Sequence, residues 1–142
     1  VKLFGHPMHP MLVHFPIALW SVGTMADSLT IFHIGDIGSI GGLAIAGGLL
    51  LAIPAMLMGL IDYLELEEPV LPTANTHMML MGSAWCVYLL ALYERMDGLA
   101  MTGILTPLGF GASVAGFLLL GAGGWYGGQL VYRHGAGVRR EA

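Results

Sequence analysis

Charge is scarce in this sequence. Asp, Glu, Lys and Arg together make up 10 % of the 142 residues, where a soluble domain carries about 25 %. That is too little to cover a water-facing surface. Only five residues are Lys or Arg, and they form no basic patch interleaved with aromatics, so nucleic acid is not an expected partner. Cysteine is almost absent. The lone Cys86 cannot close an internal disulfide and does not report a redox compartment; mid-helix, it reads as a small buried hydrophobe. No CxxC, no HExxH and no carboxylate-rich helix pair occurs, which argues against a dedicated hydrolytic or di-iron site. A cleavable leader is not expected either. The first apolar run, after Pro10, is as long as a full span and contains His14, Pro16 and Asp27, unlike a short apolar signal core.

What the sequence does have is apolar length. Hydrophobic residues make up 56 % of the chain, and the mean hydropathy is +0.78. A bilayer span needs roughly 20 apolar residues, and four runs supply them, at about 11–31, 37–64, 72–93 and 101–132. Pro16 falls near the first turn of the first run, where a missing N–H matters least. The second begins after the Gly35-Asp36 turn and contains Pro54, a candidate kink. Pro69 and Pro72 bracket the entry to the third. The fourth is longer than a span requires, which predicts tilt or an interfacial end. Four runs with short connections predict an all-α, integral membrane, antiparallel four-helix bundle forming a single domain over 1–142. Both termini then share a side, with Lys2, Arg133, Arg139 and Arg140; Arg95 falls on the other. Excess Lys and Arg favour the cytoplasm, so both termini are expected there.

Small residues recur at helical spacing. Ala44, Gly48 and Ala52 form one ridge, Ala55 and Gly59 another, and Gly123, Gly124, Gly127 and Gly128 a third. Such ridges let helix backbones approach closely in lipid; they could also clear space for a flat cofactor. Trp20, Trp85, Trp125 and Tyr132 suit packing or interfacial positions.

Ionisable groups inside a bilayer are costly, so each is a functional candidate. Antiparallel threading brings His14, Asp62, His77 and His134 to one membrane face, with His6 and His9 just before the first span. His33 stays on the other face, near Asp36. His14 and His77 each lie four or five residues into a span, roughly 6–8 Å along the axis. Two imidazoles at equal depth on different helices could ligate one b-type haem from opposite sides. The competing reading is that they hydrogen-bond neighbouring carbonyls or Asp62 and hold the bundle together. A non-haem metal is a third reading, since imidazole suits zinc, copper, iron and nickel. His6 and His9, in the segment HPMHP, are further candidate metal ligands or an interfacial entry turn. Asp62 or His134 would orient a histidine or stand beside the cofactor. Met78, Met79 and Met81 beside His77 leave a His/Met pair as a variant. Asp27 would pair inside the bundle with Ser28, Thr24 or a group of the second span, and no chemistry is assigned to it.

The opening HPMHPMLVHFPIAL, the GLIDY that ends the second run, the isolated His77 and the closing GGQLVYRHGAGV together resemble the bacterial predicted membrane proteins of domain-of-unknown-function family 2231. The resemblance covers nearly the whole chain. Its marked positions here are His9, His14, Pro16, Asp27, Gly59, Asp62, His77, Gly128, Leu130, Val131, Tyr132, Gly135 and Val138. It implies a four-span protein of the inner membrane, similar in layout to small membrane cytochromes, with no settled activity.

The functional expectation is therefore an electron-transfer membrane protein. One haem b would sit between His14 and His77, with Asp62 and His134 alongside. Quinone is a possible second cofactor, and other membrane subunits or redox partners are possible neighbours in the bilayer. An accessory subunit anchoring a larger complex is the alternative from another class, and a histidine-lined metal-binding membrane protein the third.

Overall fold

The computed structural model describes residues 2–3, 6–35, 37–98 and 100–138, with the backbone alone at 2, 3 and 6. Two short strands, β1 (Lys2–Leu3) and β2 (His6–Pro7), pair antiparallel. They lead into a short helix, α1 (Met8–Leu12), and then α2 (His14–Ile31). The first span was expected to be continuous from residue 11, and Pro16 explains why it is not. Proline has no N–H for the carbonyl four residues back, at Leu12, and its ring crowds that carbonyl. Regular α1 therefore stops at Leu12, and α2 starts after Val13.

The remaining long helices are α3 (Gly38–Tyr63), α4 (Leu71–Tyr93), which a 3₁₀ turn at Glu68–Val70 precedes, and α5 (Pro107–Tyr132). The helix runs unbroken through Pro54. α5 starts later than the apolar run. Residues Met96–Asp97 (β3) and Ala100–Met101 (β4) form a small ladder instead. The helix begins where Thr106 caps it, its Oγ1 accepting from the Gly109 N–H at 2.9 Å, with Pro107 at the first position. Both are favoured helix starts.

Among the described residues, three stretches are long and apolar enough to cross a membrane: Gly38–Tyr63, Glu68–Tyr93 and Pro107–Tyr132. By itself α2, with 18 residues, is not among them, because His14, Thr24, Asp27 and Ser28 make it less apolar.

The helices are apolar outside and small inside. On α3, Leu43, Leu50 and Leu57 form an exposed stripe, while Gly41, Ala44, Ile45, Gly48, Ala52 and Ala55 are buried. α2 packs mainly on α3, and α4 on α5; α2–α5 and α3–α4 contacts join the two pairs. At the centre Trp20 and Tyr88 stack, with ring centroids 4.8 Å apart. Gly48 makes that possible, since a Cβ there would lie 2.5 Å from the Trp20 ring. The glycine ridge of α5 is only partly used. Gly123 and Gly127 face α4 side chains, whereas a Cβ at Gly124 would meet open space. Trp125 and Tyr132 are exposed near the end of α5, where amphipathic rings suit a membrane–water boundary.

Candidate functional site

Two histidines meet, and they are not the expected pair. The ring centroids of His9 and His77 lie 6.4 Å apart, with the planes at 85°. His14 is exposed, and its Nδ1 is 3.4 Å from the carbonyl of Met11, three residues back. The ring that His77 meets is thus five residues earlier than His14. The helical path continues through Val13, whose N–H bonds the His9 carbonyl and whose carbonyl accepts from Ile17; α1 packs on α3, and His9 lies on the side that faces it.

Each ring is braced the same way. The His9 Nδ1 is 2.7 Å from the Ala55 carbonyl on α3, and the His77 Nδ1 is 2.8 Å from the Gly123 carbonyl on α5. A carbonyl only accepts, so in both rings Nδ1 carries the proton and donates. The free lone pair is then on Nε2, the arrangement usual for metal-binding histidines. Glycine clears the path in both cases. A Cβ at Gly59 would stand 2.8 Å from the His9 ring, and one at Gly127 would stand 3.1 Å from the His77 ring. Each glycine follows its acceptor by one helical turn, so the imidazole lies flat across the bare backbone to reach the carbonyl.

The repetition extends along the molecule. His9 and His77 are 68 residues apart. The Tyr88 hydroxyl reaches the Trp20 carbonyl, and Arg95 reaches Asp27, each across the same 68 residues. Both histidine–carbonyl bonds span 46. Gly48 packs on Trp20, and Gly116, its counterpart 68 residues on, packs on Tyr88. Two copies of one helix pair related by a two-fold axis produce this pattern, with equivalent residues touching on the axis.

The Asp27–Arg95 contact is the most buried polar feature. Both side chains are fully buried and form an ion pair. Arg95 also donates to the Ala91 carbonyl, and the Ser113 hydroxyl donates to Asp27 Oδ2 at 2.6 Å. Thr24 adds bonds to the Tyr88 hydroxyl, at 2.9 Å, and to the Ser113 carbonyl, at 3.3 Å. Gly41 leaves room for the carboxylate, since a Cβ there would lie 2.5 Å from Asp27 Oδ1. The sequence places Arg95 on the membrane side opposite the termini and pairs Asp27 with Ser28, Thr24 or a span-two group; in the structure Arg95 is folded inward to Asp27. Ser28 bonds the Thr24 carbonyl. The overlooked signal was that residues 27 and 95 are 68 apart, like the two histidines.

The other expected residues lie toward the His9–His77 end. Asp62 is half-buried near the end of α3, and the Nδ1–H groups of His9 and His77 are held by backbone carbonyls. His134 Nε2 is 3.2 Å from the Thr73 hydroxyl, linking the chain after α5 to the start of α4. Met81 packs against Gly123, and Met79 is exposed. Cys86 is exposed rather than buried. The side chain of His6, with Lys2, Asp36, Arg139 and Arg140, lies outside the described residues. Among the described residues no group of three or more His, Cys, Asp or Glu is placed to hold a metal ion.

No curated protein and no solved structure matches the chain. The model of one family does, across residues 5–140, and that family is described as predicted membrane protein (DUF2231). The chain belongs to it, and its long apolar helices agree with that description.

Proposed function

We propose, from the premise of that membership, that this is a four-span protein of the inner membrane that carries electrons through one haem b held between His9 and His77. The observation that carries the reading is the pair of imidazoles, both with Nδ1 committed to a carbonyl and Nε2 free. An imidazole nitrogen sits about 2.0–2.1 Å from a bound metal, and the ring centre lies about 1 Å behind it. Two rings on opposite sides of one metal therefore have centroids about 6 Å apart, close to the 6.4 Å found here. Two protein nitrogens are too few for a bare zinc ion, which takes four ligands, but they suffice where a porphyrin supplies the rest. When bound, the haem supplies reversible one-electron chemistry. The protein's own part is to fix both ring tautomers and to keep the site inside the bundle.

Four crossings are supported by α1 and α2 acting together. Residues 8–31 follow one another with a single break at Val13 and reach about 36 Å, enough for the hydrocarbon core. The contacts support an antiparallel arrangement. Tyr63 bonds Asn75 and Thr73 bonds His134 at the His9–His77 end, whereas Asp27, Arg95 and Ser113 meet toward the other. With Arg95 withdrawn into the interior, the positive charges of Lys2, Arg133, Arg139 and Arg140 favour cytoplasmic termini.

A second reading is favoured by one observation. The histidine bonds staple α1 to α3 and α4 to α5, which a purely structural subunit of a larger membrane complex would also use. An optical spectrum of the purified full chain from haem-replete cells separates the two. A reduced haem band is expected in the wild type and in His14→Ala, and its loss in His9→Ala and His77→Ala. A wild-type protein without the band, or a His77→Ala variant that keeps it, refutes the haem reading.

A further inference from the structure

The imidazoles of His9 and His77 are fixed in rotation as well as in place. The turn of an imidazole about its Cβ–Cγ bond is ordinarily broad. Here both turns are committed. The Nδ1–H of His9 must aim at the Ala55 carbonyl, 2.7 Å away, and that of His77 at the Gly123 carbonyl, 2.8 Å away. The same edge of each ring also lies over a glycine. A Cβ at Gly59 would stand 2.8 Å from Cε1 and 2.9 Å from Nδ1 of His9. One at Gly127 would stand 3.1 Å and 3.3 Å from the same atoms of His77. With each ring held by its own half of the molecule, the two planes cross at 85°.

That crossing has a consequence for a haem held between them. Each axial imidazole acts on the iron dπ orbitals through its own π system, which stands perpendicular to the ring plane. Parallel rings raise one dπ orbital above the other. The ferric ion is one electron short of filling this set, and its vacancy settles in the raised orbital, which stabilises the ferric state. Crossed rings raise both orbitals equally, and that stabilisation is lost. The ferrous ion has the set filled and gains nothing from either arrangement. Crossed rings therefore favour the reduced haem. Axial ligation and the hydrogen bonds behind it are among the means by which a protein sets a haem potential.

We infer that Gly59 and Gly127, with the carbonyls of Ala55 and Gly123, are positioning residues that hold the axial imidazoles crossed at the iron and so raise its potential above that of the same haem between parallel rings. The inference rests on the haem reading and adds to it. That reading needs two free Nε2 atoms, whereas the crossing needs both ring turns to be locked. Only one electron enters or leaves in the couple, because each Nδ1 keeps its proton against a carbonyl that only accepts.

The test uses the full chain in lipid nanodiscs, purified from haem-replete cells. Electron paramagnetic resonance of the oxidised protein reads the angle. Crossed rings leave the dπ orbitals nearly degenerate and give one strongly anisotropic low-field line; near-parallel rings give a three-line rhombic spectrum. The low-field line is expected in the wild type. In Gly127→Ala the His77 ring has to turn away from the new Cβ. The signal should then move toward the rhombic form, and the midpoint potential from a dithionite titration should fall. Gly124→Ala, on the same helix but facing open space, should change neither. A glycine needed only for packing would alter stability without moving the signal. A haem-loaded wild type with a rhombic spectrum overturns the inference and leaves the haem reading standing. So does a haem-loaded Gly127→Ala whose signal and potential match the wild type. A wild type with no reduced haem band fails the haem reading, and this inference with it. If Gly127→Ala loses its haem, the wild-type spectrum alone decides.

Discussion

The buried Asp27–Arg95 pair allows a sharp test of how the two helix pairs are joined. Both side chains have no exposure, so removing one partner leaves the other charged and without its counter-ion in a low-dielectric interior. Such single removals cost about 3–5 kcal/mol. At about 1.4 kcal/mol per factor of ten, that range reduces the folded-to-unfolded ratio by two to nearly four orders of magnitude. Replacing both partners by apolar residues of similar size removes the attraction and both desolvation costs together, a change that is often neutral or stabilising. Asp27→Asn and Arg95→Met should each destabilise strongly, and Asp27→Leu combined with Arg95→Met should return within about 1 kcal/mol of wild type. Ser113 would then retain its bond to the Gly109 carbonyl, at 3.1 Å, and so not be left without a partner. The assay is reversible unfolding in mixed micelles, followed by near-ultraviolet circular dichroism of the Trp20–Tyr88 stack. Single variants within 1 kcal/mol of wild type would refute the reasoning, as would a double variant that loses the sum of the two singles.

Two further outcomes follow from the close glycine contacts. Gly59→Ala should displace the His9 ring, since the new Cβ falls 2.8 Å from it; haem occupancy, read from the reduced spectrum, should drop, while Gly124→Ala, which faces open space, should leave it unchanged. Gly48→Ala should lower stability by about 1–3 kcal/mol through overpacking against Trp20, measurable as a lower midpoint in the same unfolding assay.

Much of the helical layout was legible in apolar run length, because in lipid the run itself is the signal. The ends were less so. Apolar residues 101–106 read as helix, but Thr106 and Pro107 make a better start and override hydropathy. Pro16 interrupts the bonding at the Leu12 carbonyl, yet the backbone stays helical at Val13, so His9 and His14, five residues apart, stand roughly 140° apart around the helix. Depth along the span alone pairs His14 with His77, whereas the helix face decides for His9. His77 itself, and the convergence of histidines at one end, did follow from threading. The Arg95 position was hidden for a different reason. A charge just past a helix end looks like a loop charge, and only a partner 68 residues away shows that it turns inward. A comparison of the chain with itself carries that signal, since His9, Met11, Gly41, Ala44, Gly48 and Gly59 recur as His77, Met79, Gly109, Ala112, Gly116 and Gly127.

The meeting of equivalent positions restricts what two matched halves can do. Were the halves identical, every residue on their seam would confront its own twin. A neutral imidazole tolerates that, and so does a stacked ring. A buried carboxylate does not, because a second carboxylate against it adds repulsion to the loss of water, and two guanidinium groups fare no better. Attraction across the seam is open only to a chain that writes its two halves differently. Position 27 and position 95 are where this one does so, and the ion pair that results is a contact no symmetric assembly of a single helix pair can make.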